Sequence, residues 1–444
     1  MSKTIYALAS GVGRSGVGVV RISGDNAFDF AKQLGVKNFT PNKLARTNLF
    51  ANNGDLIDEA MAVAFKNPNS FTGEDVVELH IHGSQAILNV LFDELDKQGA
   101  RLAEPGEFSK RAFANNKMDL TQAEGLIDLI NAETKAQMRQ AQRQTQGALR
   151  DLYNSWADEL LPLLAHCEAY IDFPDEDLPE SVKKQTDEKI QNLISSILNH
   201  LEDNNRGERI RNGIQVAIIG SPNAGKSSLI NALTKRDVAI VSEQAGTTRD
   251  VIEVNLDIKG YPVRLFDTAG IRESDDVVES EGIKRAVKSA NQADVIILVI
   301  DGVKNKINDE LILQNTKSIE NDNAPLIILA NKNENSGFNT PQTSKSIIPM
   351  STYTGDGIDT LVNQLYDLIS GLVATDSEPI ITRNRHRRAL QDCLDSLIQS
   401  QTAPVPELVA EDLRIALRHL GIITGTVDVE ELLDVVFKDF CIGK

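Results

Sequence analysis

The chain has 444 residues, 41% hydrophobic and 25% charged, with 46 Lys and Arg against 64 Asp and Glu for a formal net charge of −18. At ~150 residues per domain that length predicts about three domains, and the composition is that of a soluble globular protein. The acid excess argues against broad neutralisation of nucleic-acid phosphates, no apolar run approaches the ~20 residues of a membrane span, and three scattered cysteines (Cys167, Cys393, Cys441) make neither a disulfide framework nor a zinc cage.

Met1-Ser2-Lys3-Thr4 leads into a strand rather than a signal peptide, so a cytoplasmic location is expected. Residues 4–118 read as α+β. Ile5-Tyr6-Ala7-Leu8 and Val17 to Ile22 are strands around the loop Gly11 to Gly16, which lacks a following helix and so forms turns rather than a second nucleotide site. Further strands are expected at Met61 to Phe65 and Val76 to His82, then a helix capped by Ser84, running through Leu95 and closed by Gly99. His80 and His82 share one strand face, a spacing that can hold metal; without a nearby third ligand or Cys, polar packing is the better reading. Neither periodicity nor a metal pattern accounts for Pro105-Gly106-Glu107-Phe108-Ser109-Lys110-Arg111-Ala112-Phe113.

From Asp119 to Leu161 apolar residues recur at three- and four-residue steps without proline, predicting one long helix or two in line, with a kink at Pro162. Asp172 to Glu180 is an acidic turn, and an amphipathic helix carrying Ile190, Leu193, Ile194, Ile197 and Leu201 follows to about Arg209. Residues 214–371 alternate short apolar runs (Val216 to Ile219, Val263 to Phe266, Val295 to Ile300, Leu326 to Leu329, Ile347 to Pro349) with helical stretches, as in a mostly parallel sheet covered on both faces. Helices return at Ala389 to Ser400, Leu408 to Leu420 and Val429 to Phe437, so the α/β unit is either inserted into one helical domain or stands between two. Arg383-Asn384-Arg385-His386-Arg387-Arg388 is the densest basic run, either a solvated helix face or an interaction site.

The chemistry concentrates in the α/β unit. Gly220-Ser221-Pro222-Asn223-Ala224-Gly225-Lys226-Ser227 fits the phosphate loop G-x-x-x-x-G-K-[ST]: backbone N–H groups face the α- and β-phosphates, Lys226 reaches the β/γ oxygens and Ser227 ligates Mg²⁺. Downstream come Gly246-Thr247-Thr248-Arg249-Asp250, Asp267-Thr268-Ala269-Gly270, Asn331-Lys332-Asn333-Glu334 and Ser351-Thr352, which in this order resemble the GTPase signature. Asp267 would hold Mg²⁺ through water, Gly270 would offer its N–H to the γ-phosphate, and Thr248 would ligate Mg²⁺ only while that phosphate is present. The usual base reader is Asn-Lys-x-Asp, and here the fourth residue is Glu334; its carboxylate can still accept from guanine N1–H and the 2-amino group, so guanine is the expected base. Ile271 stands where Ras-like proteins place a water-positioning glutamine, so another polar residue must serve. Arg249, Arg272, Glu273 and Glu279 are candidates that spacing alone does not rank.

Over essentially its full length the chain resembles the MnmE (TrmE) family of tRNA-modification GTPases. The resemblance rests on Val19-Val20-Arg21-Ile22-Ser23-Gly24, Phe71-Thr72-Gly73-Glu74-Asp75, Pro105 to Ser109, Asp119-Leu120-Thr121-Gln122-Ala123-Glu124, the GTPase set and the terminal Phe440-Cys441-Ile442-Gly443-Lys444. It implies a multidomain α/β chain: an N-terminal α+β folate-binding and dimerisation domain (1–118), a helical domain in two segments (119–213 and 372–444) and an inserted Ras-like P-loop G domain (214–371). It implies modification of carbon 5 of the wobble uridine in certain tRNAs, adding an aminomethyl or carboxymethylaminomethyl group. The partner would be the flavoprotein MnmG (GidA), which carries FAD, in a heterotetramer or larger, and a 5-formyl- or 5,10-methylene-tetrahydrofolate would donate the one-carbon unit.

The GTP contacts so implied are Asn223, Ala224, Gly225, Lys226, Ser227, Ser228, Ser242, Glu243, Gln244, Ala245, Gly246, Thr247, Thr248, Asp267, Thr268, Ala269, Gly270, Asn331, Lys332, Asn333, Glu334, Ser351, Thr352 and Tyr353. K⁺ would sit at Asn223, Ser242, Gln244 and Thr247, taking the place of an arginine finger when two G domains meet, and Mg²⁺ at Ser227 and Thr248. The implied catalytic set is Glu279, which orients water, with Lys226 and Thr248; the implied folate contacts are Arg21, Glu78, Lys117 and Lys444. Cys441 would lie near the folate pocket, as nucleophile or as packed thiol. A ribosome-assembly GTPase would need an RNA-binding domain that the chain does not display, and a regulatory switch reporting folate status would need no chemistry of its own.

Overall fold

The computed structural model describes residues 3–37, 40–172, 180–236, 253–267, 287–321, 323–335, 337–373, 379–427, 433, 436–438, 440 and 442–443. It divides into two compact units, one of residues 1–127, 144–166 and 413–444 and one of residues 128–143 and 167–412.

The first unit is built on a six-stranded sheet of β1 (Ile5–Leu8), β2 (Ser15–Ser23), β3 (Ala45–Phe50), β4 (Leu56–Phe65), β5 (Val76–Gly83) and β6 (Arg101–Leu102), in the order β3-β4-β5-β2-β1-β6. Strand alternation sends Val20, Ile22, Val77, Leu79 and Ile81 to one face, where the helices Ala27–Gln33 and Gln85–Lys97 bury them with Phe30, Leu91 and Leu95. Arg21 and Glu78, one residue out of phase with those apolar positions, pair across β2 and β5 on the other face, near Phe108. Ser84 occupies the cap position of its helix, but its side chain makes no capping bond there. The exposed and mostly polar β3 lacks the alternation that would have marked it as a strand.

The one long helix, or two in line, expected after Asp119 is instead three: Leu120–Ile130, Lys135–Thr145 and Ala148–Asp172, the last running through Pro162. Reciprocal capping boxes start the first two. Asp119 Oδ1 accepts from Gln122 N (2.7 Å) while Gln122 Oε1 accepts from Asp119 N (3.1 Å), and Thr134 and Gln137 repeat the arrangement. The second break falls at Gly147, where φ is +93°. The helix expected to reach Arg209 is likewise two, Glu180–Leu201 and Arg206–Asn212, separated where Asn204 and Asn205 enter the left-handed region. The acidic turn lies largely outside the described residues, as does most of the third C-terminal helix; the other two span Asn384–Thr402 and Pro406–Thr424.

The second unit holds the other sheet: β7 (Ile214–Ile219), β8 (Glu253–Ile258), β9 (Tyr261–Asp267), β10 (Val295–Asp301), β11 (Leu326–Asn331) and β12 (Ile347–Pro349), ordered β12-β11-β10-β7-β9-β8 and parallel except for the β8–β9 hairpin. All of β10 is buried, the mark of a central strand covered on both faces, and its neighbours bury comparable runs. The helices Lys226–Thr234 and Ile358–Leu372 pack on one face; Ala290, Ile307 and Ile312 close the other. Parallel register therefore brings the carboxyl ends of β7, β9, β10, β11 and β12 to one edge, where doubly wound sheets bind ligands.

Candidate functional site

β7 ends at Ile219, and the phosphate loop turns into the helix Lys226–Thr234. Gly225 stands at φ +103°, and a Cβ there would collide with the Asn331 amide, so any other residue is disfavoured on two counts. Lys226 Nζ donates to the carbonyls of Gly220 (2.8 Å) and Ser221 (3.0 Å), folded over the loop it would release to take phosphate oxygens. Ser227 and Ser228 are exposed in the first turn of the helix, and Asn223 is exposed at φ +59°.

Asn331 fastens three loops. It is 1% exposed; Nδ2 donates to Ala224 O (2.9 Å) in the phosphate loop, and Oδ1 accepts from Thr352 N (3.2 Å) after β12. Buried Ser351 organises that third loop, Oγ accepting from Tyr353 N and Thr354 N. Asn333 N donates to Met350 O (3.0 Å), which fixes the base-reading turn against β12. Glu334 is exposed and accepts from Asn335 Nδ2 (3.1 Å), while Tyr353 stands 89% exposed in the Ser351 loop.

One member of the site was not read from the sequence. Asp301, the last residue of β10 and in register with Asn331, is 3% exposed and accepts from Lys332 Nζ at 2.6 Å through Oδ2 and from Val303 N and Lys304 N through Oδ1. Burial works against its charge, but the Lys332 ammonium and the two amides outweigh it and hold the carboxyl below its ordinary range. The available signal was a lone carboxylate ending an unbroken apolar strand, Val295 to Ile300.

The structure thus gathers Ala224, Gly225, Lys226, Asn331, Lys332, Ser351 and Thr352 at one sheet edge. Ser242 to Thr248, Thr268 to Gly270 and Glu279 lie outside the described residues, and of Asp267 only the backbone is described, ending β9 opposite Ile218.

On the first unit's sheet, Arg21 meets Glu78 Oε1 through Nε (2.9 Å) and Nη2 (2.8 Å), its guanidinium lying 5.1 Å from the Phe71 ring centre and 5.6 Å from that of Phe108. His80 Nε2 is buried without a hydrogen-bond partner, 3.7 Å from Glu78 Oε2. Lys117 lays its stem beside Gly73 in the turn after Phe71. The unexplained Pro105 to Ser109 segment supports this face. Phe108 is fully buried, and Glu107 takes both Arg101 and Arg111; burial opposes its charge, but those hydrogen bonds and the Glu104 amide keep it ionised below its usual range. Ile442 forms a bridge with Pro105, and Gly443 approaches Leu8; Cys441 and Lys444 themselves lie outside the described residues. His82 pairs with Asp58 (2.8 Å), a polar-packing role.

In the basic run at Arg383, two arginines and the histidine turn inward, while Asn384 and Arg388 are exposed. Arg383 pairs with Asp128 (2.9 Å), Arg387 with Asp203 (2.7 Å) and Glu208 (3.1 Å), and His386 is fully buried. Among the described residues no helix is long and apolar enough to cross a membrane.

Comparison with known proteins places these features in a family. The profile of the MnmE helical domain matches residues 120–441, and that of the GTP-binding protein TrmE N-terminus matches residues 4–117. The "tRNA modification GTPase MnmE" of Rickettsia bellii (strain RML369-C) is 47% identical over 450 residues, and that of Paramagnetospirillum magneticum (strain ATCC 700264 / AMB-1) is 45% identical over 447, each covering all of both chains. Among solved structures, Era of Aquifex aeolicus bound to GDP and AlF₄⁻ is 28% identical, covering 43% of this chain and 68% of its own, with a TM-score of 0.27.

Proposed function

Because this chain belongs to the MnmE family of tRNA modification GTPases, we propose that it is the GTP-hydrolysing subunit of a complex that adds an aminomethyl or carboxymethylaminomethyl group to C5 of wobble uridine in certain tRNAs. The observation that carries the nucleotide half is Asn331, whose single amide ties the phosphate loop to the base-reading and Ser351 loops, so that phosphate and base elements are set at one fixed separation. Lys226 exchanges two loop carbonyls for β/γ oxygens, Lys332 lies along the base plane with its ammonium anchored on Asp301, and Glu334 accepts from the guanine edge.

Ser227, exposed at the helix start, is the described side chain that would take Mg²⁺, with Thr248 as the switch ligand; Asn223, exposed in the phosphate loop, would take K⁺ together with Ser242, Gln244 and Thr247. Bound there, K⁺ supplies the positive charge that an arginine finger supplies elsewhere, a factor of ~10³ to 10⁵ in rate. Glu279 orients the attacking water in this reading. The G domain (214–371) is inserted in a helical domain of two segments, and the N-terminal domain (1–118) dimerises and binds a reduced folate. Arg21, Glu78 and Lys117 suit that ligand: Glu78 can accept from the pterin's amide-like donors, the orphaned His80 nitrogen faces the same space, and Lys117 can meet a carboxylate. The tetrahydrofolate would supply the one-carbon unit; the flavoprotein MnmG would supply FAD and most of the tRNA contact.

Two measurements test this. GTP hydrolysis should run far faster in KCl than in NaCl, and the preference should vanish in Asn223→Lys; equal rates would remove the ion from the mechanism. Mass spectrometry of wobble nucleosides in cells lacking the chain should show loss of the C5 substituent. An unchanged nucleoside profile would overturn the tRNA assignment.

A further inference from the structure

The helix Lys135–Thr145 contains three cations and no carboxylate, in a chain whose net charge is −18. Lys135, Arg139 and Arg143 recur at four-residue steps, which places them on one helix face. All three are exposed, and none of their side chains forms an ion pair or hydrogen bond with another described residue. The nearest carboxylate before them in sequence is Glu133, outside the helix.

The other side of the helix is pinned. Ala136 N donates to Gly260 O (2.9 Å) in the β8–β9 turn, Gln137 Nε2 to Arg211 O (3.2 Å), Gln140 Nε2 to Gly207 O (2.9 Å), and Ala141 is 1% exposed. The stripe therefore has a fixed direction, and less ordering is needed when it meets a ligand. At ~1.5 Å rise per residue the three cations step by about 6 Å, the scale on which phosphates follow one another along a nucleic-acid strand. In the denser basic run, Arg383 and Arg387 are unavailable for that role, since they neutralise Asp128, Asp203 and Glu208.

We propose that Lys135, Arg139 and Arg143 form a docking stripe for the sugar–phosphate backbone of tRNA. This rests on the reading of the chain as a tRNA-modifying enzyme. The stripe positions tRNA without reading its bases, because a row of point charges with no base-edge partner carries no sequence information.

The test is binding of fluorescein-labelled bulk tRNA to the full-length chain across 50 to 300 mM KCl, for the natural sequence, the triple variant Lys135→Gln/Arg139→Gln/Arg143→Gln, and Arg139→Lys/Arg143→Lys. The triple variant should bind about tenfold or more weakly near 0.1 M salt, and the slope of log K against log salt should become shallower by about 2 to 3, three contacts at ~0.7 to 0.9 each. The lysine variant should keep both affinity and slope. Unchanged GTP hydrolysis in the triple variant certifies the fold. An unchanged slope overturns the proposal, as does a triple variant that keeps tRNA but loses self-association on size exclusion, which would assign the stripe to an acidic protein surface. If the natural chain binds no tRNA even at 50 mM salt, the stripe proposal fails, while the tRNA-modification reading stands or falls separately on the wobble-nucleoside profile.

Discussion

Replacing Asp301 by Asn probes the base pocket without changing its volume. The side chain can keep its two bonds from Val303 N and Lys304 N, but the charged partner of Lys332 is lost. A hydrogen bond between charged groups at this degree of burial contributes ~1.5 to 3 kcal/mol, and the partner ammonium, about two-thirds buried, would then have to find water. If that contribution serves mainly to hold Lys332 along the base, guanine-nucleotide affinity should fall by about 10- to 150-fold at ~1.4 kcal/mol per tenfold. The assay is equilibrium and stopped-flow binding of a fluorescent GDP, with KM for GTP and for ATP measured on the same preparation and a thermal melt to check the fold. GTP selectivity over ATP should shrink as affinity falls. An Asp301→Asn protein that binds GDP within threefold of the natural chain, with the same GTP-to-ATP preference, would refute the reasoning even if its melting temperature dropped. The pH dependence has a definite sign. Because the folded pKa lies below the ordinary value of 3.8, the stability from Asp301 is complete above that value and is lost as pH falls through the lower folded one. Acid unfolding of the natural chain should therefore be steeper below pH 4 than that of the variant.

Gly225→Ala should leave the melting temperature within a few degrees while weakening GDP binding at least tenfold, since the new methyl displaces Asn331 from Ala224 and the left-handed backbone costs ~1 to 2 kcal/mol; normal affinity would contradict the contact. Arg387→Ala strands Asp203 and Glu208 without their cation and should destabilise the second unit by roughly 3 kcal/mol, less than a fully buried pair would suggest because Arg387 retains some exposure. Denaturant titration measures it, and Arg387→Lys should recover only part. Glu334→Asp restores the shorter base reader and should raise the GTP-to-ATP ratio in kcat/KM, by a factor within the ~10 to 200 that one methylene commands; a fall would mean that the pocket is built for the longer side chain.

The strand, loop and helix around Gly220 to Ser227 were legible in the linear chain because their demands are local: Gly at fixed offsets, a Lys and a Ser opening a helix, an apolar strand before them. The parallel sheet was legible for a related reason, since strands buried on both faces must be apolar throughout, as Val295 to Ile300 are. The capping boxes at Asp119 and Thr134 are also written in the sequence, but the apolar periodicity continues across the breaks that the caps impose and masks them. Tertiary structure alone decided matters of partnership. Nothing local says that Asp301 will meet Lys332 or that Asn331 will hold Ala224; strand register does, by setting the ends of β7, β10 and β11 side by side. Two basic stretches were told apart in the same way: Arg383 and Arg387 fold onto carboxylates distant in sequence, while the side chains of Lys135, Arg139 and Arg143 pair with none among the described residues. Charge is a property of the residue, but whether it is neutralised depends on what the chain brings within a few ångströms of it, and that is settled only on folding.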